Sequence, residues 1–282
     1  MRIDAHQHFW SLARGDYGWL TPELADIYRD FLPEDLEPFL KKWNIEGTIL
    51  VQAAPTIAET KFMLKLAEQN AFIKGVVGWV DFEAPGAVDT LNQLSMSPHF
   101  VGIRPMIQDI PDVNWMLQDR FTPIFDAICA NDLVFDALTL PQHLSALHTL
   151  VSRHPSLRAV IDHGSKPLIA DGIVDGWVED MTTMAAFENV HCKLSGLVTE
   201  ASPDWTNADL QPYVAHLLKT FGPKRLIWGS DWPVCTLAAS YDRWVETSRD
   251  MLSTLTPEEQ KAVFGMNAMH LYKIRHRSDG LL

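Results

Sequence analysis

Short apolar runs recur along the whole chain, and longer segments with helical spacing lie between them. Runs of about four to eight residues rich in valine, isoleucine and leucine are typical of buried strands. Each run is too apolar to leave one face in water, which predicts a parallel sheet covered by helices. Eight runs fit this description: Arg2–His8, Thr48–Gln52, Ile73–Val80, Phe100–Arg104, Leu133–Asp136, Arg158–His163, Val190–Leu194 and Arg225–Trp228.

The segments between these runs carry apolar residues three and four positions apart, as in 121–128, which predicts amphipathic helices. Two of them begin with a capping signal, in which a threonine hydroxyl and a glutamate three residues later satisfy free amide groups. Thr56 with Glu59 is one such pair, and Thr256 with Glu259 opens a final helix.

Eight strands alternating with helices predict an α/β fold, and a (β/α)8 TIM barrel is the simplest closed arrangement. No linker, repeat or low-complexity stretch divides the chain, so we expect a single domain over residues 1–282. A doubly wound open sheet is the alternative, but it favours a glycine-rich first turn that residues 4–8 lack. Residues 9–33 form a long first loop, and loops of that length tend to be functional.

Composition narrows the class of protein. The chain has 36 acidic and 23 basic side chains and a formal net charge of −13. This balance argues against a nucleic-acid-binding protein, because such proteins usually carry a basic patch that contacts phosphates. Hydrophobic residues make up 47% of the chain, which is enough for a sizeable core.

Location follows from the absence of long apolar runs and from cysteine usage. No run approaches the roughly 20 residues that cross a bilayer, and the first residues do not resemble a signal peptide. Cys129, Cys192 and Cys235 are far apart and odd in number, which predicts reduced thiols. We therefore expect a soluble, cytoplasmic protein that contacts neither membrane nor nucleic acid. A homo-oligomer is compatible with the sequence.

Polar residues end nearly every predicted strand, and this regularity is the strongest functional signal in the sequence. The carboxyl ends of barrel strands gather at one face, so these side chains are expected to converge although they are distant in sequence. They are His6, His8, Gln52, Asp81, Arg104, Asp136, His163, Lys193 and Asp231.

His6 and His8 lie two positions apart on a strand, which directs both imidazoles to the same side. Neutral imidazoles that converge in this way suit a divalent cation such as zinc. Asp231 follows the last strand, where a carboxylate can bind a metal or take a proton from water. The alternatives are a hydrogen-bonded histidine pair in a polar core and an aspartate that caps a turn.

His163 ends the sixth strand and is a candidate electrophile or metal ligand. Lys166 follows it and can place a cation near a developing oxyanion, although a solvated loop lysine is an equal alternative. Arg104 ends an otherwise apolar strand, which favours a role in the site over a structural ion pair. Alternation along the strand predicts that Asp162 faces away from His163. Lys193 fits either a place in the site or a buried ion pair with a carboxylate that supports the barrel.

Six short motifs, in order and spread over almost the full length, resemble the amidohydrolase superfamily. The resemblance is to its metal-dependent-hydrolase branch of TIM-barrel fold, which includes sugar lactonases of the L-fuconolactonase and L-rhamnonolactonase types. The motifs are Ile3-Asp4-Ala5-His6-Gln7-His8-Phe9-Trp10, Tyr17-Gly18-Trp19-Leu20, Val101-Gly102-Ile103-Arg104, Ile161-Asp162-His163, Cys192-Lys193-Leu194-Ser195-Gly196-Leu197 and Gly229-Ser230-Asp231-Trp232-Pro233.

The resemblance implies a hydrolase that opens a sugar-acid lactone to the linear aldonic acid. His6, His8 and Asp231 match the family residues that surround the hydrolytic water or metal. His163 and Lys166 match the pair that holds the lactone carbonyl.

Arg104 matches the family's arginine after the fourth strand, but residues 105–108 read Pro-Met-Ile-Gln where fuconolactonases have histidine. This departure leaves the identity of the sugar open. The fifth strand lacks the histidine of zinc amidohydrolases, and no residue is placed to bridge two metals. The expectation is therefore one divalent metal, zinc first, or none, with no organic cofactor.

In the expected mechanism Asp231 takes a proton from water and passes it to the leaving ring oxygen, while His163 with Arg104 or Lys166 stabilises the oxyanion. Trp10, Trp19 and Trp232 are expected to offer apolar faces to the sugar ring, and Gln52 to bind its hydroxyl groups. The alternatives are a lactone isomerase or decarboxylase in the same barrel and a non-catalytic sugar-binding protein.

Overall fold

A computed structural model describes residues 1–274, and its centre is a sheet of eight parallel strands in sequential order. Each strand pairs with the next one along the chain. This arrangement confirms the predicted (β/α)8 TIM barrel, while residues 275–282 of the predicted domain lie outside the described residues. The strands are β1 (Ile3–Gln7), β2 (Gly47–Val51), β3 (Ile73–Gly78), β4 (Phe100–Ile103), β5 (Val134–Ala137), β6 (Arg158–Ile161), β7 (Val190–Leu194) and β8 (Leu226–Trp228).

One helix follows each strand, and two short helices after the eighth complete the described chain. The helices are α1 (Pro33–Trp43), α2 (Ile57–Gln69), α3 (Ala87–Leu94), α4 (Thr122–Ala130), α5 (Leu144–Arg153), α6 (Trp177–Ala185), α7 (Asn207–Phe221), α8 (Tyr241–Met251), α9 (Pro257–Lys261) and α10 (Asn267–Leu271). A π-helical turn, Ala262–Met266, joins the last two.

The barrel closes where β1 meets the segment that follows β8. The Asp231 amide donates to the His6 carbonyl at 2.7 Å, and the His8 amide donates to the Trp232 carbonyl at 2.7 Å. Because backbone hydrogen bonds fix this junction, the first and last candidate site residues are held side by side.

All eight predicted strands are present, but five end earlier than predicted, and the largest differences, two residues each, are in β3 and β6. β3 ends at Gly78 because the next amide, that of Trp79, donates to the Thr60 hydroxyl at 2.9 Å instead of extending the sheet. β6 ends at Ile161 because the backbone turns into a left-handed conformation at His163.

Both predicted helix starts are confirmed, with one difference in the capping. The Thr56 hydroxyl accepts from the Glu59 amide, but the Glu59 carboxylate binds the amides of Ala53 and Ala54 rather than that of Thr56. Thr256 and Glu259 form the reciprocal pair as predicted.

The barrel interior is apolar at one end and polar at the other. Ile3, Ile49, Val77 and their strand neighbours pack inside the barrel, and α10 closes this apolar end. The larger apolar cluster lies between the strands and the surrounding helices. Apolar packing therefore fills the amino end of the barrel, and the buried polar residues gather toward the carboxyl end.

The structure also bears on the cysteines and on membrane-spanning helices. The three cysteines are free thiols, as predicted. In residues 1–274 no helix has the length and apolar character that crossing a bilayer requires.

Candidate active site

Three imidazoles approach one carboxylate at the carboxyl end of the barrel. Asp231 Oδ1 lies 3.2 Å from His8 Nε2, 3.7 Å from His6 Nε2 and 3.9 Å from His163 Nε2. Burial alone would raise the pKa of Asp231, but the three imidazoles outweigh it and hold that pKa below the usual range of a carboxyl group. Asp231 is therefore an ionised carboxylate at neutral pH.

His8 has a fixed ring orientation. Its Nδ1 lies 2.8 Å from the Val51 carbonyl, and a carbonyl oxygen can only accept, so Nδ1 carries a proton. Nε2 is consequently the nitrogen directed at Asp231. A backbone carbonyl that orients an imidazole in this way is a common feature of reactive and metal-binding sites.

His6 lies between two cationic side chains. Lys193 Nζ is 3.1 Å from its Nδ1, and Arg104 Nη1 is 3.3 Å from its Nε2. Burial and the Lys193 charge both disfavour the imidazolium and hold the pKa of His6 well below its ordinary value. His6 is therefore neutral.

His163 begins a run of four residues with left-handed backbone: its own φ is +54°, and Gly164, Ser165 and Lys166 follow at +57°, +62° and +50°. Asp231 also has positive φ, at +58°. Such conformations cost free energy in residues other than glycine and persist where the surrounding structure imposes them, as at functional sites.

The ring of His163 is held from two sides. Its Nδ1 lies 2.9 Å from the Ser195 hydroxyl, and the Gly196 backbone approaches so closely that a Cβ there would lie 2.4 Å from the same nitrogen. Burial lowers the pKa of His163 to about 4, so the imidazole is neutral.

The prediction that Asp162 faces away from His163 is wrong. The left-handed turn replaces strand alternation after Ile161, and Asp162 enters the same buried network. Its Oδ2 lies 3.3 Å from Arg104 Nη1, and its Oδ1 lies 3.0 Å from Lys193 Nζ. Asp162 thus links two cations beneath the imidazoles.

Lys193 and Asp136 form a buried ion pair at 2.5 Å. The Tyr272 hydroxyl donates to the same Asp136 oxygen at 2.7 Å. Both charged side chains are fully buried. Of the two alternatives that the sequence offered for Lys193, the structure therefore shows the buried ion pair.

A cavity of about 190 Å³ opens onto the imidazole and carboxylate cluster. Lys166 reaches its rim, where Glu200 lies 3.6 Å from the ammonium group. Predicted and unpredicted residues share the lining: His8, Trp19, Ala53, Arg104, Met106, Gln108, Asp109, Leu138, His163, Lys166, Asp231 and Val234.

Three of the four residues predicted to bind the sugar do not line this cavity. Trp10 and Trp232 are buried in an aromatic cluster with Phe31, so their rings support the wall of the site instead of offering a face to a ligand. Gln52 is fully buried, and its amide nitrogen donates to the Arg104 carbonyl at 2.7 Å. Trp19 alone of the four reaches the cavity.

Sequence reasoning missed several lining residues, among them Met106 and Gln108 in the connection after β4. Gln108 has a buried side-chain oxygen for which residues 1–274 supply no hydrogen-bond partner. Its position four residues after Arg104 at a strand end was the signal that could have identified it.

His6, His163 and Asp231 each offer a ligand atom, and these atoms all lie within 4.8 Å of one another. Ligand atoms that share a zinc ion at about 2.0–2.2 Å are at most about 4.4 Å apart, so the distances of 3.7 and 3.9 Å from Asp231 fit one ion. Two neutral imidazoles and an ionised carboxylate are also suitable donors. The sequence proposed His8 as a ligand, whereas this cluster contains His163.

Comparison with known proteins places the chain in a family. The amidohydrolase family profile matches residues 3–274. An L-fucono-1,5-lactonase of Burkholderia ambifaria is 46% identical over 279 residues, which covers 97% of this chain and 96% of that protein. An L-fucono-1,5-lactonase of Burkholderia multivorans is 36% identical over 302 residues, covering 100% and 99%.

A crystal structure gives the same result for the fold. An amidohydrolase from Burkholderia multivorans with bound zinc superposes with a TM-score of 0.93 at 36% identity, and the alignment covers 98% of this chain and 100% of that one. The family profile, the two relatives and this structure all match nearly the whole chain. The chain belongs to the amidohydrolase family.

Proposed function

We propose that this protein is a hydrolase that opens a sugar-acid lactone to the linear aldonic acid. The observation that carries the proposal is an ionised Asp231 among three imidazoles, at the base of a cavity that also holds Arg104 and Lys166. Ester hydrolysis needs a base for water and a positive charge near the carbonyl oxygen, and this cavity contains both. The names of the two relatives make L-fucono-1,5-lactone the first substrate to test.

Asp231 acts as the general base. It takes a proton from a water molecule, and the water oxygen bonds to the lactone carbonyl carbon. As the tetrahedral intermediate collapses, the bond from that carbon to the ring oxygen breaks, and Asp231 returns the proton to the departing oxygen. His8 Nε2, 3.2 Å from Asp231 Oδ1, orients the carboxylate between these two steps.

Arg104 and Lys166 stabilise the oxygen that gains charge. The Arg104 guanidinium is fixed by Asp162 and by the Gln52 carbonyl, so it need not reorganise during the reaction. Its buried Nε has no hydrogen-bond acceptor in residues 1–274. A buried donor without a partner costs about 1–3 kcal/mol, which supports a role in contacting a ligand.

One divalent ion, zinc first, fits His6, His163 and Asp231. When bound, such an ion supplies a positive charge that lowers the pKa of water and polarises a carbonyl group. His163 would help to hold the ion, and without an ion its neutral ring is available to the substrate oxygen. Comparing lactone turnover before and after treatment with a chelator distinguishes His163 as a metal ligand from His163 as a group that contacts the substrate oxygen.

The test is a pH-indicator assay of several aldonolactones with the wild type and Asp231→Asn. We expect one proton released per lactone opened, and a loss of about 10³-fold or more in kcat for the variant. Asp89→Asn, an exposed aspartate on α3, serves as the matched control and should retain activity. Near-normal turnover by Asp231→Asn would exclude the base role, and a product that keeps the ring or has lost carbon dioxide would exclude hydrolysis.

A further inference from the structure

A second, larger cavity adjoins the catalytic one at the carboxyl face of the barrel. Its volume is about 680 Å³, compared with about 190 Å³ for the catalytic cavity. Trp19, Met106 and Asp109 line both, so the two spaces meet along these three side chains. The connections after β1, β2, β3 and β4 build its walls.

The catalytic cavity alone is small for a binding site. Ligand pockets usually measure about 300–1,000 Å³, and of these two adjoining cavities the second falls within that range and the catalytic one does not. A single lactone ring seated against Asp231 would therefore leave the adjoining second cavity unfilled.

Two half-buried tryptophans lie along the second cavity. Trp19 is fixed by its indole nitrogen, which donates to the Ala53 carbonyl at 2.7 Å. Trp79 is fixed through its backbone, since its amide and carbonyl bond the Thr60 hydroxyl at 2.9 and 3.2 Å. In residues 1–274 no aromatic ring stacks against Trp79. Trp79 is half-buried and lines the cavity, so part of its side chain can contact a ligand there.

The polar groups of the second cavity are acceptors. Asp16, Asp81, Glu83 and Asp109 contribute carboxylates, and no lysine, arginine or histidine of the described chain lines the space. Glu83 is partly neutralised by Arg120 at 3.3 Å and Asp16 by Arg14 at 2.5 Å, but neither Asp81 nor Asp109 has an ion pair within residues 1–274. Carboxylates accept hydrogen bonds from hydroxyl groups and repel anions, so this chemistry selects an uncharged polyol.

We propose that the second cavity is a subsite for a neutral sugar ring attached to the lactone, so that the enzyme accepts lactones of two-sugar aldonic acids. The inference rests on the proposed function and extends it by naming this substrate class. The lactone ring occupies the catalytic cavity, and the second ring lies against Trp79, with its hydroxyl groups directed to Asp81 and Asp109. Aromatic faces beside carboxylates suit such a ring, which is apolar on its faces and a hydrogen-bond donor at its edge.

The experiment compares D-gluconolactone with cellobionolactone, which is the same lactone carrying one neutral glucosyl ring. We expect kcat/KM for cellobionolactone to exceed that for gluconolactone by roughly tenfold, mainly through KM. Trp79→Ala should remove this advantage and change gluconolactone turnover by less than about twofold, and Trp79→Phe should restore most of it. Trp43→Ala, at the end of α1, is the matched control and should leave the ratio unchanged.

A direct binding measurement separates the subsite from hydrolysis. Reduced cellobiose, which is neutral and has no ester, should change tryptophan fluorescence in the wild type and not in Trp79→Ala. Equal wild-type efficiency on the two lactones, an equal loss on both in Trp79→Ala, or no fluorescence change would overturn the subsite. If no aldonolactone is opened, the proposed function fails, and the fluorescence titration still decides whether the second cavity binds a sugar.

Discussion

His8 Nε2 lies 3.2 Å from Asp231 Oδ1, although the two residues are 223 positions apart in the chain. Closure of the barrel between β1 and the segment after β8 produces this contact. The carboxylate proposed as the base and an imidazole that orients it therefore depend on the whole barrel, and substitutions within its interior should affect both stability and activity.

Removing the buried ammonium group should destabilise the fold. Lys193→Met leaves Asp136 and Asp162 without their shared cation, and breaking a buried ion pair in this way costs about 3–5 kcal/mol. Urea denaturation should show this loss in the free energy of unfolding. Lys65→Met, on the exposed side of α2, is the control and should change stability by less than about 0.5 kcal/mol. A loss below about 1 kcal/mol for Lys193→Met would mean that this buried ion pair contributes little to the free energy of unfolding.

Gly196→Ala should damage the site as well as the backbone. The new Cβ would lie 2.4 Å from His163 Nδ1, so the imidazole must move. Gly172→Ala is the matched control, because Gly172 has nearly the same φ, +65° against +62°, but open space around it. Both variants should lose about 1 kcal/mol of stability from backbone strain, and only Gly196→Ala should lose about tenfold or more in kcat/KM for the lactone. Equal activity of the two variants would contradict the role assigned to this contact.

The protein should lose stability between about pH 4.5 and pH 7 through Glu59. Burial raises the pKa of this carboxyl group from 4.5 to about 7 in the folded state. The fold therefore favours the protonated form, so the stabilisation is complete below pH 4.5 and disappears as the pH rises through 7. The difference corresponds to about 3 kcal/mol.

Glu59→Gln should flatten this pH dependence, because its neutral amide still accepts one backbone hydrogen bond at Ala53 or Ala54. Glu68→Gln, an exposed substitution on the same helix, should keep the wild-type profile. The measurement is the free energy of unfolding at several pH values, and parallel curves for wild type and Glu59→Gln would contradict the assignment.

Metal binding can be tested apart from activity. Zinc added to chelator-treated protein should raise the melting temperature, because a ligand that binds only the folded state stabilises it. His163→Gln should lower zinc content at least tenfold, whereas His8→Gln should retain zinc, since the ligand cluster contains His163 and not His8. His270→Gln, an exposed histidine on α10, is the control. Loss of zinc in His8→Gln alone would instead support the ligand set predicted from sequence.

The sequence by itself determined the barrel and the face that carries the site. Eight apolar runs with polar ends appear in the sequence, and hydrophobic periodicity is a local property that a short window of residues already shows. Convergence of His6, His8, Arg104, His163 and Asp231 then follows from parallel strand order alone.

Only the tertiary structure decided how each side chain is used. Strand alternation predicted an outward Asp162, but the left-handed turn at His163 directs it into the ion-pair network. Trp10 and Trp232 resemble binding residues in sequence because their neighbours are polar, yet packing from distant elements buries them. The sign of a backbone angle and the exposure of a ring depend on contacts between segments far apart in the chain, and a local pattern does not encode those contacts.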